Sequence, residues 1–465
     1  MATSATLDDV KRTYVDRHPG SQQLYERATD SFASGVTHDS RYMEPFPIYA
    51  SRASGSTKWD VDGNEYVDWV MGHGALLFGY ADNEVASAFH EQVDRGVHIG
   101  ASTELEIEWA ELIRELVPCA ELVRASSSGS EAISTAIRLS RLHTGNDKII
   151  LQAGAYHGKD DQVNYAYNGP PFGHRNVAGI PESVTENVEL VPFNDLEAVE
   201  NLCAEGNVAC VILHSNNHYE PEYVEGLREL TRTYGVVFVM DEVVSGFRYA
   251  AGGAHEYYDV EPDLAVLGKI VGGGAAVGAV CGSRELMQYH EFRDDDYWNN
   301  FRRISVGGTW NAQPLSIIGG IAMLRVIRER GDEIYSHLSE VGSRLIERFN
   351  DHAEDIGVPA IATGVPPEDP TRVSVHLLTE RPTGDDRRLF ETGPASFEDY
   401  ERKQSLHADD AKKPFNMSML NEGVFPHSGG LSYVPATAHT ETDVETTSEA
   451  METSLRVLKN EGLLG

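Results

Sequence analysis

The sequence predicts an α/β fold built on a mostly parallel sheet, and two observations carry that expectation. From about residue 122 short apolar runs, KIILQA, VACVILHS, VVFVMDEV and LAVLG, alternate with stretches of helical periodicity. Short buried strands separated by helices mark a parallel sheet covered on both faces. The second observation is size: 465 residues with 41% apolar side chains suffice for a large cored domain and a smaller one.

In chain order, a helix is expected over residues 7 to 32, broken near His18-Pro19-Gly20. WDVDGNEYVDWV, residues 59 to 70, alternates apolar and polar positions around Asp62-Gly63-Asn64 and reads as a hairpin. NEVASAFHEQVDRG and ELEIEWAELIRELV carry helical spacing. The large domain is placed at residues 90 to 330 and leaves through the helix PLSIIGGIAMLRVIRER, residues 314 to 330. Residues 331 to 465 mix strands such as RVSVHLL with helices, including ETDVETTSEAMETSLRVLKNEG, and form a smaller α+β domain together with residues 1 to 89. The polar stretch 380 to 410 reads as a surface excursion.

The net charge of −35, from 73 acidic and 38 basic side chains, argues against a nucleic-acid or anionic-membrane surface, because the long-range field repels phosphate. Such a surface suits a high-salt cytoplasm, where screening lowers self-repulsion. Cys119, Cys203, Cys210 and Cys281 show neither disulfide-scaffold density nor metal-ligand spacing, so no metal is expected. The N-terminus lacks a signal-type apolar core and no segment approaches a membrane span, so a cytoplasmic setting is expected.

Four stretches carry chemistry. SSSGSEAISTAIRLSR, residues 126 to 141, sets Ser128, Gly129 and Ser130 before an apolar-striped helix, where free N–H groups and the helix dipole suit a phosphate; a plain N-cap is the structural alternative. AGAYHGKDD, residues 153 to 161, presents Tyr156 and His157 in a Gly-flanked loop after a strand, where a ring stacks on a flat cofactor or seals the core. GVVFVMDEVVSGFR ends an apolar strand on Asp241 and Glu242; a buried carboxylate demands a cation or donor, met by a protonated pyridine nitrogen or by Arg248. LGKIVGGGAAVGAV places Lys269 between a buried strand and the glycines 272 to 274, where burial leaves a neutral amine able to condense with an aldehyde, unless the stem merely snorkels to water. An anion cradle, a ring stack, a carboxylate and an amine together match the needs of pyridoxal 5'-phosphate.

These stretches resemble the class III (fold type I) pyridoxal-phosphate aminotransferases, and within them the glutamate-1-semialdehyde 2,1-aminomutase branch. SSGSEAISTAIRLSR resembles that family's phosphate turn, AYHG its ring-stacking loop, MDEVVSGFR its aspartate motif and LGKIVGGGAAVGA its lysine motif. GGTWNAQPL, residues 307 to 315, resembles the segment whose threonine, here Thr309, reaches the cofactor phosphate of a neighbouring subunit. ASGVTHDSR, residues 33 to 41, resembles the segment whose arginine, here Arg41, holds the substrate carboxylate. The resemblance spans about residues 20 to 455 and implies a mostly parallel seven-stranded sheet, the cofactor and a homodimer with shared active sites.

Three positions depart from the branch. His214-Ser215 stands where many relatives have Glu-Pro, which brings His214, Asn216, Asn217 and His218 near the cofactor region. HSGGLSYVPA, residues 427 to 436, has no acidic residue where the mutases carry a glutamate, and His73 replaces a tryptophan in MGHGALLFG. The first expectation is therefore a ping-pong aminotransferase moving an amino group from a carboxylate-bearing donor to an oxo acid. Lys269, Asp241 and Tyr156 are its catalytic candidates, and Arg41, His73 and His214 its substrate-binding ones. Amino exchange within glutamate 1-semialdehyde, forming 5-aminolevulinate, is the alternative; decarboxylation, racemisation, an amino-sugar substrate and a non-catalytic binding role rank lower.

Overall fold

The computed structural model describes residues 6 to 165, 178 to 427 and 431 to 465. Residues 428 to 430 of the HSGGLSYVPA stretch lie outside the described residues. The chain divides into two compact units: Asn83–Tyr335 with Arg388–Lys403, and Met1–Asp82 with Ser336–Arg387 and Gln404–Gly465.

In the second of these the N-terminal helix breaks where proline requires it, into Leu7–Arg17 and Pro19–Thr29, with Pro19 in the first turn, where a missing N–H costs nothing. After β1 (Ala50–Ser54), the expected hairpin forms from β2 (Thr57–Asp60) and β3 (Glu65–Asp68), paired antiparallel, and β1 pairs antiparallel with β2. Its turn is tied by Asp60 Oδ1, which accepts from the N–H groups of Asp62 at 2.9 Å and Asn64 at 2.8 Å.

The other unit holds a seven-stranded sheet. Its strands are β4 (Leu122–Ser126), β5 (Lys148–Gln152), β6 (Val188–Val191), β7 (Val208–His214), β8 (Val237–Glu242), β9 (Leu264–Gly268) and β10 (Gly278–Gly282), in the order β4-β10-β9-β8-β7-β5-β6. All pairs are parallel except those of β10, which runs antiparallel to both neighbours. The helix Gly129–Thr144 packs Ala132, Ile133, Ala136 and Ile137 against Ile149, Ile212, Val239 and Val266. Shortening Ile133, Ile137, Ile149 or Ile212 to alanine removes about 2–5 kcal/mol. The parallel strands deliver their carboxyl ends, Gln152, His214, Glu242 and Gly268, together with the loops that follow them, to one edge of the sheet.

The helix expected to end at residue 330 runs on as Pro314–Ile356, interrupted at Arg330, where φ is −133°. The charged run RERGDE hides this continuation, yet Leu338, Val341, Leu345 and Phe349 recur at helical spacing and are buried. The polar excursion folds as two helices, Asp385–Glu391 and Phe397–Ser405. RVSVHLL forms β12 (Arg372–Leu377), between β11 (Ala360–Val365) and β14 (Ser432–Tyr433), while β13 (Val424–Phe425) joins β3 in parallel. Among the described residues no helix is long and apolar enough to cross a membrane, and no cluster of His, Cys, Asp or Glu is arranged to hold a metal.

Candidate active site

The anion cradle follows β4. Ser128 is the extended N-cap of Gly129–Thr144; its Oγ accepts from Glu131 N at 3.3 Å and its carbonyl from Ala132 N at 3.1 Å. Those bonds leave the first-turn N–H groups of Gly129 and Ser130 for an outside acceptor at the positive end of a 16-residue helix. Close packing holds them in place: a Cβ on Gly129 would lie 2.6 Å from Val243 Cγ2, and one on Gly158, at φ +101°, would lie 2.2 Å from Ser130 Oγ. Ser130 Oγ also accepts from Lys159 N at 3.2 Å, so the loop after β5 is tied to the helix start.

That loop turns its two rings in opposite directions. Tyr156 is 42% exposed, whereas His157 is 2% exposed and directs Nδ1–H to Asp241 Oδ2 at 2.7 Å. Asp241, buried at the end of β8, also accepts the Val243 N–H at 3.1 Å through Oδ1. Burial pushes the Asp241 carboxyl up, but the His157 hydrogen bond and charge, with the charge of His214, hold it below its ordinary value. It is therefore an anion that can hold a protonated ring nitrogen. The demand for a donor at this strand end is answered by His157, whose position next to Tyr156 does not by itself reveal the pairing.

His214 ends β7 in register with Asp241 on β8. Ser215 explains why this strand end carries no proline: its N–H reaches the Asp241 carbonyl at 3.3 Å and its Oγ donates to the same oxygen at 2.6 Å. Lys269 follows β9 with a left-handed φ of +53°. Burial lowers its amine below the ordinary lysine value, Asp241 opposes this and Arg248 reinforces it. An amine so placed is readily available as a neutral nucleophile.

Thr309 lies in the same unit, exposed beside the exposed Trp310, and its carbonyl accepts from His98 Nε2 at 2.6 Å. Ser128, Gly129, Ser130, Tyr156, His157, His214, Asp241, Lys269 and Thr309 thus all belong to the large-sheet unit.

Arg41 and His73 belong to the other unit. There they line a cavity of about 770 Å³ with an apolar floor that includes Ile48, Leu420 and Phe425. Arg41 is exposed and donates to Thr37 Oγ1 at 2.9 Å. His73, at φ +58°, lies 3.1 Å from His427 through Nδ1 and Nε2, and its ring stacks on His38 at 5.2 Å. His427 is not among the expected site residues; its signal in the sequence is the histidine that opens HSGGLSYVPA.

The family model for class-III aminotransferases matches residues 39–361. The chain belongs to the class-III aminotransferases. It is 35% identical over 448 residues to a glutamate-1-semialdehyde 2,1-aminomutase from Methanosphaera stadtmanae, covering 94% of this chain and 98% of that protein. An aminomutase of the same name from Methanothermobacter thermautotrophicus is 36% identical over 459 residues, covering 95% and 100%. The structure of an omega-transaminase from Sphaerobacter thermophilus is 31% identical, with a TM-score of 0.83 over 96% of this chain and 99% of that one.

This class-III enzyme is therefore a pyridoxal-phosphate-dependent, fold type I catalyst of amino-group transfer. Its residues fit the cofactor: a glycine-packed helix start suits the phosphate, a buried anion suits the ring nitrogen, and a buried amine suits the aldehyde.

Proposed function

We propose that this enzyme exchanges an amino group within a carboxylate-bearing amino aldehyde of the glutamate 1-semialdehyde kind. The observation that carries this reading is the similarity to aminomutases along nearly the whole chain. Bound pyridoxal phosphate supplies a carbonyl that accepts and returns an amine and a ring that takes up electrons from the adjacent carbon.

The chain's own residues do the rest. The N–H groups of Gly129 and Ser130, with Ser128, hold the phosphate, and Lys269 carries the aldehyde. The Lys269 amine would also take and return a proton at the substrate carbon. Asp241 keeps the ring nitrogen protonated while His157 orients its carboxylate. Tyr156 lies against the ring, and Arg41 takes the substrate carboxylate as a bidentate partner. We assign the enzyme to a homodimer in which Thr309 serves the neighbouring copy's phosphate; exposed Thr309 and Trp310 support this.

Transfer between two molecules is a second reading, favoured by the omega-transaminase likeness and by the imidazole pair of His73 and His427, the latter opening a stretch with no acidic residue. An imidazole pair holds a second ammonium group less strongly than a carboxylate does, so a doubly aminated species would leave. The test is turnover of glutamate 1-semialdehyde with no oxo acid added. Sustained formation of 5-aminolevulinate supports internal exchange; no product, together with oxo-acid release from an ω-amino donor, supports transfer between molecules.

A further inference from the structure

We propose that His214 is a titratable positioning residue whose charge sets how strongly Asp241 holds the proton on the cofactor's ring nitrogen. This rests on the reading that Asp241 faces that nitrogen.

The geometry begins with strand register. His214 and Asp241 are partners across β7 and β8, and in-register residues on parallel neighbours share a face about 4.8 Å apart. Ser215 fastens that register through its two bonds to the Asp241 carbonyl. The His214 ring stands edge-on to that of His157 at 5.4 Å and 85°, and His157 donates to the same carboxylate. One carboxylate therefore sits among two imidazoles. Among the described residues, Lys269 after β9 also feels Asp241, and Arg248 after β8 acts on Lys269.

His214 has a partner that can accommodate either charge state. Asn217 Nδ2 lies 2.9 Å from His214 Nδ1, so the amide donates to an unprotonated Nδ1. Turning the Asn217 amide over presents its carbonyl oxygen, which accepts from a protonated Nδ1 without moving the backbone. His214 is only half-buried, so water can deliver the proton.

With His214 neutral, Asp241 accepts from His157 and the Val243 N–H and keeps charge for the ring nitrogen. With His214 protonated, a positive charge beside the carboxylate competes with the ring nitrogen, whose proton is held less firmly. Lowering the pH thus puts a proton on His214 and releases one from the ring.

The test is the ring ¹⁵N resonance of the holoenzyme loaded with ring-labelled pyridoxal phosphate, followed from about pH 8.5 to about pH 5.5, where imidazoles titrate. The resonance should move across this span as His214 takes up its proton. His214→Gln should flatten the titration, and Asn217→Asp should raise the mid-point by about one unit or more. A pH-independent resonance, or an unchanged titration in His214→Gln, overturns the proposal. If His214→Gln fails to fold, an unmoved mid-point in Asn217→Asp overturns it. Failure of the unsubstituted chain to take up the cofactor removes the site reading instead, and this proposal with it.

Discussion

His157 Nδ1 stands 2.7 Å from Asp241 Oδ2, with both side chains buried. The bond fixes the imidazole tautomer, keeps the carboxylate ionised and aims it, so that Asp241 is ready for a cation before any cofactor arrives.

Asp241→Asn keeps the shape and removes the charge. Leaving a buried group poorly paired costs about 1–3 kcal/mol, measurable by urea unfolding. Because the Asp241 carboxyl is held below its ordinary value, its contribution is complete above about pH 4 and is lost as pH falls through the lower folded value. The substituted protein should therefore lose less stability on acidification than the unsubstituted one; equal losses count against the pairing.

Gly129→Ala tests the cradle. Its Cβ would meet Val243 Cγ2 at 2.6 Å, so the start of the helix must shift. Cofactor titration should show an affinity at least about tenfold weaker, equivalent to about 1.4 kcal/mol. Undiminished affinity would place the phosphate elsewhere.

Much of this site was legible because its residues lie in short continuous motifs at strand ends: SSSGSEAIS, AYHG, MDE and LGK. The parallel strands announce themselves as apolar runs. β10 does not, since GAVCG is short and glycine-rich, and Gly278 is required by close approach: a Cβ there would lie 2.3 Å from Ser128 O. The His73–His427 contact joins residues 354 apart, and no local pattern reports such a pair. The partner of Asp241 was hidden for the same reason, although His157 was already under suspicion.

Glu242, the neighbour of Asp241, points to structure rather than chemistry. Its carboxylate accepts from Ala254 N at 2.6 Å and His255 N at 3.2 Å, and also from the His255 ring. Burial works against the His255 imidazolium, but the charge and hydrogen bond of Glu242 dominate, and it is pushed up to about 10. A raised value contributes stability that is full below about pH 6.5 and is lost as pH rises toward about 10. The stability gap between this protein and His255→Gln should narrow across that span in urea unfolding; a constant gap would contradict an ion pair.

Lys269→Ala should lower kcat by about 10²–10⁴-fold or more, since it removes the group assigned to proton transfer. Pyridoxal phosphate should still bind through the cradle and Asp241. Added small amines should restore part of the rate; activity near that of the unsubstituted enzyme would exclude Lys269 from the chemistry.

The most direct measurement is borohydride reduction of the loaded enzyme followed by peptide mapping. The expected result is one covalently labelled peptide, that of Lys269 at the end of β9. Label on another lysine, or none, would contradict the account of this site.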